Sequence, residues 1–191
     1  TATSLYDNDQ QAIEADGTSL IVSSGFTVNK NGNNTVRTSF PLITYDNFTL
    51  INNSGSVIKT TSSSGTNGNN VIKLGSSDTV TITNSGTISA DNDSAIQMSG
   101  ANNINITNNS GGEIWSQEDT IYAAGNSTNL TVTNSGKIYI TTAGTHTSSV
   151  PAGAAMDLSQ ATNATITNNS GGEIYTDVND TNGDDAGAAT I

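Results

Sequence analysis

Carboxylates are the groups with which this chain could do chemistry. Glu118-Asp119 stand together in a short loop, and Asp157 projects outward from a short strand. A glycosidase needs two carboxylates about 5–9 Å apart, one as acid and the other as base or nucleophile. The bland alternative for these three residues is a solvated acidic surface. Asp177, Asp180, Asp184 and Asp185 crowd a second loop together with Asn179 and Asn182. Oxygen ligands at that density could hold calcium. Their spacing lacks the glycine that an EF-hand loop needs at its sixth position, and no Gly-Gly-x-Gly-x-Asp repeat is present. A solvated loop is again the competing reading. His146 is the single imidazole, set in a polar loop that also holds Pro151 and has no nearby carboxylate. No Gly-x-Ser-x-Gly elbow, His-Glu-x-x-His helix or phosphate-binding glycine loop occurs. The expectation is a chain with no catalytic set and no cofactor, calcium being the one candidate metal. Asn-x-Ser/Thr triplets, as at Asn47 and Asn163, follow from the abundance of Asn, Ser and Thr.

The elements that must carry these residues are repeats. Thr79–Ser89 reads Thr-Val-Thr-Ile-Thr-Asn-Ser-Gly-Thr-Ile-Ser and returns along the chain. Thr131–Tyr139 is a shorter copy. Asn105–Trp115 and Thr165–Tyr175 carry a longer form, Ile-Thr-Asn-Asn-Ser-Gly-Gly-Glu-Ile followed by an aromatic. Leu50–Ile58 and, more weakly, Leu20–Val28 complete the set. The motif serines Ser24, Ser54, Ser85, Ser110, Ser135 and Ser170 lie 30, 31, 25, 25 and 35 residues apart. Repeats of that length mark solenoids or propellers.

Within a copy, Val80 and Ile82 alternate with threonines, the period of a half-buried strand. Asn84-Ser85-Gly86 is turn chemistry, and Ile88 resumes the apolar phase. A third short strand, Ala95–Met98, follows. Three strands and three corners close one coil of a right-handed parallel β-helix. The predicted architecture is all-β: a single solenoid domain over 1–191, with about six coils and Asn-Ser-Gly corners. Residues 1–17 form a partial first coil, and loops leave the body at 60–70, 141–152 and 177–187.

Stacking the copies predicts inward ladders about 4.8 Å apart. One is Ile82, Ile106, Val132 and Ile166. A second is Ile58, Ile88, Ile114, Ile138 and Ile174. A third is Leu42, Leu74, Met98, Leu158 and Ile191, with Ala123 as a small member and Phe40-Pro41-Leu42 in the first third-strand slot. Corner asparagines Asn53, Asn84, Asn109, Asn134 and Asn169 would form an amide ladder. The residue after each second-strand Ile points outward, which puts Trp115, Tyr139 and Tyr175 in one stripe. The stripe is either mutual cover or a flat platform for sugar rings or a neighbouring molecule.

Composition narrows the partners. Only 32% of residues are hydrophobic, which suits a narrow solenoid core. A net charge of −12, from 17 acidic and five basic residues, disfavours nucleic acid, since no basic cluster neutralises phosphates. Cysteine is absent, and no apolar run is long enough to span a membrane. No signal peptide is visible.

The repeated Ile-Thr-Asn-Ser-Gly-x-Ile motif resembles the passenger regions of bacterial autotransporters and related large surface β-helix proteins, from about Leu20 to the end. The resemblance implies secretion by a Gram-negative bacterium and display on the cell surface. Such passengers are longer and are followed by a membrane barrel, which this sequence lacks. A fragment of a longer solenoid, or a short chain that joins copies of itself head to tail, would fit. The leading expectation is a non-enzymatic extracellular structural solenoid of a surface fibre or stalk. Its rivals are an adhesin that binds host glycan or protein, and a polysaccharide-degrading β-helix enzyme.

Overall fold

The computed structural model describes residues 19–25, 27–31, 36–37, 39–40, 43–44, 46–61, 70–91, 93–141 and 153–177. Among these there is no helix, and three parallel sheets account for nearly all the strands. The first sheet runs in chain order through Ser19–Val22, Phe48–Asn52, Asp78–Asn84, Asn102–Asn108 and Ser127–Asn134. Ala161–Thr162 and Thr165–Asn168 both pair with its last long strand. The second sheet stacks Thr27–Asn31, Val57–Thr61, Thr87–Ala90, Glu113–Ser116, Lys137–Thr141 and Glu173–Asp177. The third stacks Val36–Arg37, Ile72–Leu74, Ile96–Met98, Ile121–Ala123 and Met156–Asp157. The chain visits the three sheets in rotation, an arrangement compatible with a β-solenoid.

Register puts like on like. Leu50, Ile82, Ile106, Val132 and Ile166 are successive partners in the first sheet. Ile58, Ile88, Ile114, Ile138 and Ile174 are partners in the second. Leu74, Met98 and Ala123 are partners in the third. Nearly all of these side chains are fully buried, with Ile166 and Ile174 only partly so. β-Branched residues suit the pleated surface, and each burial is worth about 1.5–3 kcal/mol. A second inward row, Phe48, Val80, Ile104 and Leu130, thickens the core behind the first sheet.

The first third-sheet slot differs from expectation. Val36–Arg37, not Phe40–Leu42, pairs with Ile72–Lys73. Ser39–Phe40 instead folds back antiparallel on Ile43–Thr44. A proline has no N–H to give to a ladder, so the pairing is completed before Pro41 is reached. Leu42 and Ile191 lie outside the described residues, as does the partial first coil at 1–17. The loops are also tighter than expected at their bases: Thr60, Thr61, Thr141 and Asp177 still belong to second-sheet strands, and Asn70 is buried.

From Phe48–Asn52 onward, the first-sheet strands carry a left-handed residue at or near their start. Asn47, Thr79, Asn103, Asn129 and Asn163 have φ of 56°, 60°, 51°, 55° and 58°. Asparagine tolerates this conformation, whereas a β-branched residue does not. Thr79 is therefore the strained member. Asn129 donates to Asn103 Oδ1 at 3.0 Å, and Asn163 to Asn129 Oδ1 at 3.2 Å. Asn103 donates to Asp78 Oδ1 at 2.6 Å.

Candidate functional site

The second sheet presents the aromatic stripe on its outer face. Trp115, Tyr139 and Tyr175 are successive partners in register. The rings of Tyr139 and Tyr175 are 5.1 Å apart at an interplanar angle of 2°, and those of Trp115 and Tyr139 are 6.4 Å apart at 27°. Two rings side by side in one plane would be held farther apart than 5.1 Å by their own hydrogens. The tyrosines are therefore stacked in parallel with a lateral offset. A sugar packs on a ring face, and here the faces between neighbours are already covered. Stacked pairs contribute about 0.5–1.5 kcal/mol each beyond buried area. Two residues before the stripe, on the same outer face, Lys137 lies 3.7 Å from Glu173 in an exposed ion pair, an interaction worth at most about 1 kcal/mol.

Beyond the stripe the chain turns from second to third sheet through an acidic corner. Ser116 and Thr120 are buried, with their hydroxyls 3.0 Å apart. The Ser116 hydroxyl donates to Glu118 O at 2.8 Å, and that of Thr120 to Tyr139 O at 2.7 Å. These bonds seat the corner against the aromatic strand. Asp119 Oδ1 accepts the Ala154 N–H at 2.7 Å, which ties the corner to the next repeat. Counting back from the partners Ile96 and Ile121 places Asp93 and Glu118 on one row. Counting back from Ile121 and Met156 places Gly153 next on it. A Cβ on Gly153 would meet Glu118 C at 2.5 Å, so only glycine fits there.

The corner thus collects Asp93, Glu118 and Asp119, with Asp157 close enough to act on Asp119. Burial pushes the Glu118 carboxyl up to about 7, with the charges of Asp93 and then Asp119 adding to the rise. Asp119 is also raised, first by burial and then by Asp157 and Asp93, against the lowering effect of the Ala154 N–H. Glu118, Asp119 and Asp157 were the candidate carboxylates of the sequence, and the fold brings them together. Asp93 was missed, because its corner carries no periodic signal. An acid titrating near neutrality can donate a proton to a leaving group.

A buried amide ladder lines the corner between first and second sheets. Asn52 Nδ2 donates to Asn84 Oδ1 at 2.7 Å. Asn84 to Asn108, Asn108 to Asn134 and Asn134 to Asn168 follow, each at 2.8 Å. The Nδ2 groups also approach backbone carbonyls: for Asn84, Gly86 O at 3.0 Å and Glu113 O at 3.1 Å. Asn52, Asn84, Asn108 and Asn134 are fully buried, so these bonds are obligatory.

Of the expected ladder, Asn84 and Asn134 stand in this row, while Asn53, Asn109 and Asn169 do not. Asn109 and Asn169 sit one residue further on, where their amides donate to Ser85 Oγ and Ser135 Oγ, both at 2.9 Å. Asn53 donates to Val22 O at 3.0 Å. Strand alternation explains the correction. The inward asparagine is the second residue after the inward Ile or Val, which selects Asn108 and Asn168 in the longer copies. The ladder starts at Asn52 because Val22 occupies its place one strand earlier.

Turn glycines divide into two kinds. Gly55, Gly111 and Gly171 have positive φ. Gly86, Gly112, Gly136 and Gly172 instead allow close approach of the neighbouring repeat; a Cβ on Gly136 would meet Gly112 O at 2.2 Å.

Of the calcium candidates, Asp177 ends a second-sheet strand, and Asp180, Asp184 and Asp185 lie outside the described residues, as does His146. Among the described residues no group of three or more His, Cys, Asp or Glu could hold a metal ion, and no helix is long and apolar enough to cross a membrane. In comparisons with known proteins, no family model, no curated protein and no solved structure matches the chain.

Proposed function

We propose that this chain is a non-enzymatic structural module, a right-handed parallel β-helix of about six coils with Asn-Ser-Gly corners, acting as a spacer in an extracellular bacterial fibre or stalk. One observation carries the reading. The side chains best suited to binding are spent on their equivalents in the next repeat. The amides of Asn52 to Asn168 bond along the stack, and the aromatic rings cover one another. A module built this way gains length and stiffness from each added coil. Its partners on this reading are further coils or further copies joined head to tail. Negative-stain imaging tests it: the purified chain should appear as rods or filaments of constant width. Round particles would refute it.

The acidic corner favours a second reading, cleavage of an acidic or neutral polysaccharide with Glu118 as proton donor. Its carboxyl at about 7 suits that role at neutral pH. Sugar release from a polysaccharide panel that disappears in Glu118→Gln would establish it. No release from any member would leave the structural module standing.

A further inference from the structure

The outer face of the first sheet differs from the rest of the surface. From Asp78 onward its outward residues fall into two columns, Thr83 to Thr167 and Thr81 to Thr165. Threonine stands at every position of both except Asn105. Neither column holds a charged residue, in a chain of net charge −12. Charge lies outside the two columns: at exposed Asp78, which accepts from Asn103 at the edge of the face, at Glu113, Lys137 and Glu173 on the second sheet, and in the acidic corner. Beside the columns runs the linked amide row Asn103, Asn129 and Asn163, which holds one edge of the face in a fixed conformation.

The columns form a two-dimensional net. Neighbouring strands lie about 4.8 Å apart, and alternate residues along a strand about 6.6 Å apart. Each node offers one methyl and one hydroxyl on a β-branched side chain with few rotamers. The prism face of hexagonal ice repeats on a rectangular net of comparable dimensions. We propose that this threonine face binds ice, ordering surface water into positions continuous with the crystal.

The chemistry of the face separates crystalline water from other occupants. A charged side chain holds its own hydration shell and would interrupt an ordered water layer, and the two columns carry none. A sugar surface would want an exposed ring face, and this sheet presents no aromatic outward. A second copy packed face to face would bury a row of hydroxyls without assured partners, at a cost. The inference does not depend on the stalk reading.

The test uses the full chain in an ice-growth cell. The expected result is faceted crystals and a gap between melting and growth temperatures. Thr131 is exposed, so Thr131→Lys should leave the fold intact and abolish the gap; Thr107→Lys/Thr133→Lys should do the same. Thr87→Lys, on the second sheet, should leave it unchanged. Circular dichroism establishes that each variant is folded, and if the double variant unfolds, Thr131→Lys decides alone. Crystals that grow as round discs at the melting point in the parent chain overturn the proposal. A gap that survives Thr131→Lys overturns it as well. So does the absence of a gap together with a dimer that Thr131→Lys dissociates, which would make the face a self-contact.

Discussion

Asn108→Asp changes one atom of the buried ladder and leaves its shape alone. Asn108 Nδ2 faces three acceptors: Asn134 Oδ1 at 2.8 Å, Lys137 O at 3.1 Å and Gly112 O at 3.2 Å. An aspartate oxygen there meets only other oxygens. A protonated carboxyl can restore one of the two lost hydrogen bonds, which leaves a cost of about 1 kcal/mol. Holding that carboxyl protonated at pH 7 against an ordinary value near 3.9 costs about 4 kcal/mol more. The variant should thus lose about 5 kcal/mol at pH 7, against the roughly 5–15 kcal/mol that usually separates folded from unfolded chains.

The pH dependence has a definite sign. The folded pKa of the new carboxyl is raised, so the penalty is nearly absent below the unfolded value. It grows as pH rises from there toward the folded value. Near pH 4 the loss should shrink to about 1 kcal/mol. Asn109→Asp is the control, because that half-exposed amide meets only Ser85 Oγ, which can turn and donate instead. It should cost less than about 1 kcal/mol at either pH. Urea unfolding followed by circular dichroism at both pH values reads the differences, provided the slope with urea is unchanged. An Asn108→Asp variant within about 1 kcal/mol of the parent at pH 7 would refute the reasoning. Equal losses at positions 108 and 109 would refute it too.

Three further outcomes are expected. Thr79→Asn places a tolerant residue at φ 60° in a row otherwise made of asparagine, and should raise stability by about 1 kcal/mol in the same urea assay; a loss would mean that the strain lies elsewhere. Gly136→Ala drives a Cβ against Gly112 O, Asn109 O and Asn108 Nδ2. It should cost about 3 kcal/mol or more of stability, seen as a melting temperature far lower than that of an alanine variant at exposed Ser110. Glu118 ionises less readily folded than unfolded, so as pH rises from about 4.5 toward about 7 the chain should lose stability through this group. Glu118→Gln should flatten that slope in melting curves, and an unaltered slope would remove the burial of this carboxyl from the account.

The strand ladders were legible because two periods coincide. Alternation by two picks out Ile82 and Ile88 within a copy, and the repeat then assigns Ile106, Ile114, Val132 and Ile138 to the same rows. The turns were less legible because their length varies. Aligning copies on Ser-Gly pairs Ser85 with Ser110, whereas the strands pair Asn84 with Asn108 and so set Ser85 beside Asn109. Ser110-Gly111 is the extra length of the longer copies, and it bulges outward. Counting inward from Ile106 rather than across the turn would have found the ladder. The acidic corner had no such rule, since Asp93 and Glu118 meet only after third-sheet register brings their corners together. Near Phe40 the alternation was misleading, because Pro41 could not donate to the ladder and Val36–Arg37 took the place.

The central claim is a rigid stack that advances by a constant step per repeat. The chain has no cysteine, so Thr49→Cys/Thr165→Cys provides two unique sites for spin labels. Thr49 and Thr165 stand four strands apart on one column, through Thr81, Asn105 and Thr131. Pulsed electron resonance should give one narrow distance near 19 Å between the labelled backbones, four steps of about 4.8 Å each. Thr81→Cys/Thr165→Cys should shorten it by one step. A broad distribution, or a distance that does not fall with the step removed, would contradict the stack and the spacer role built on it.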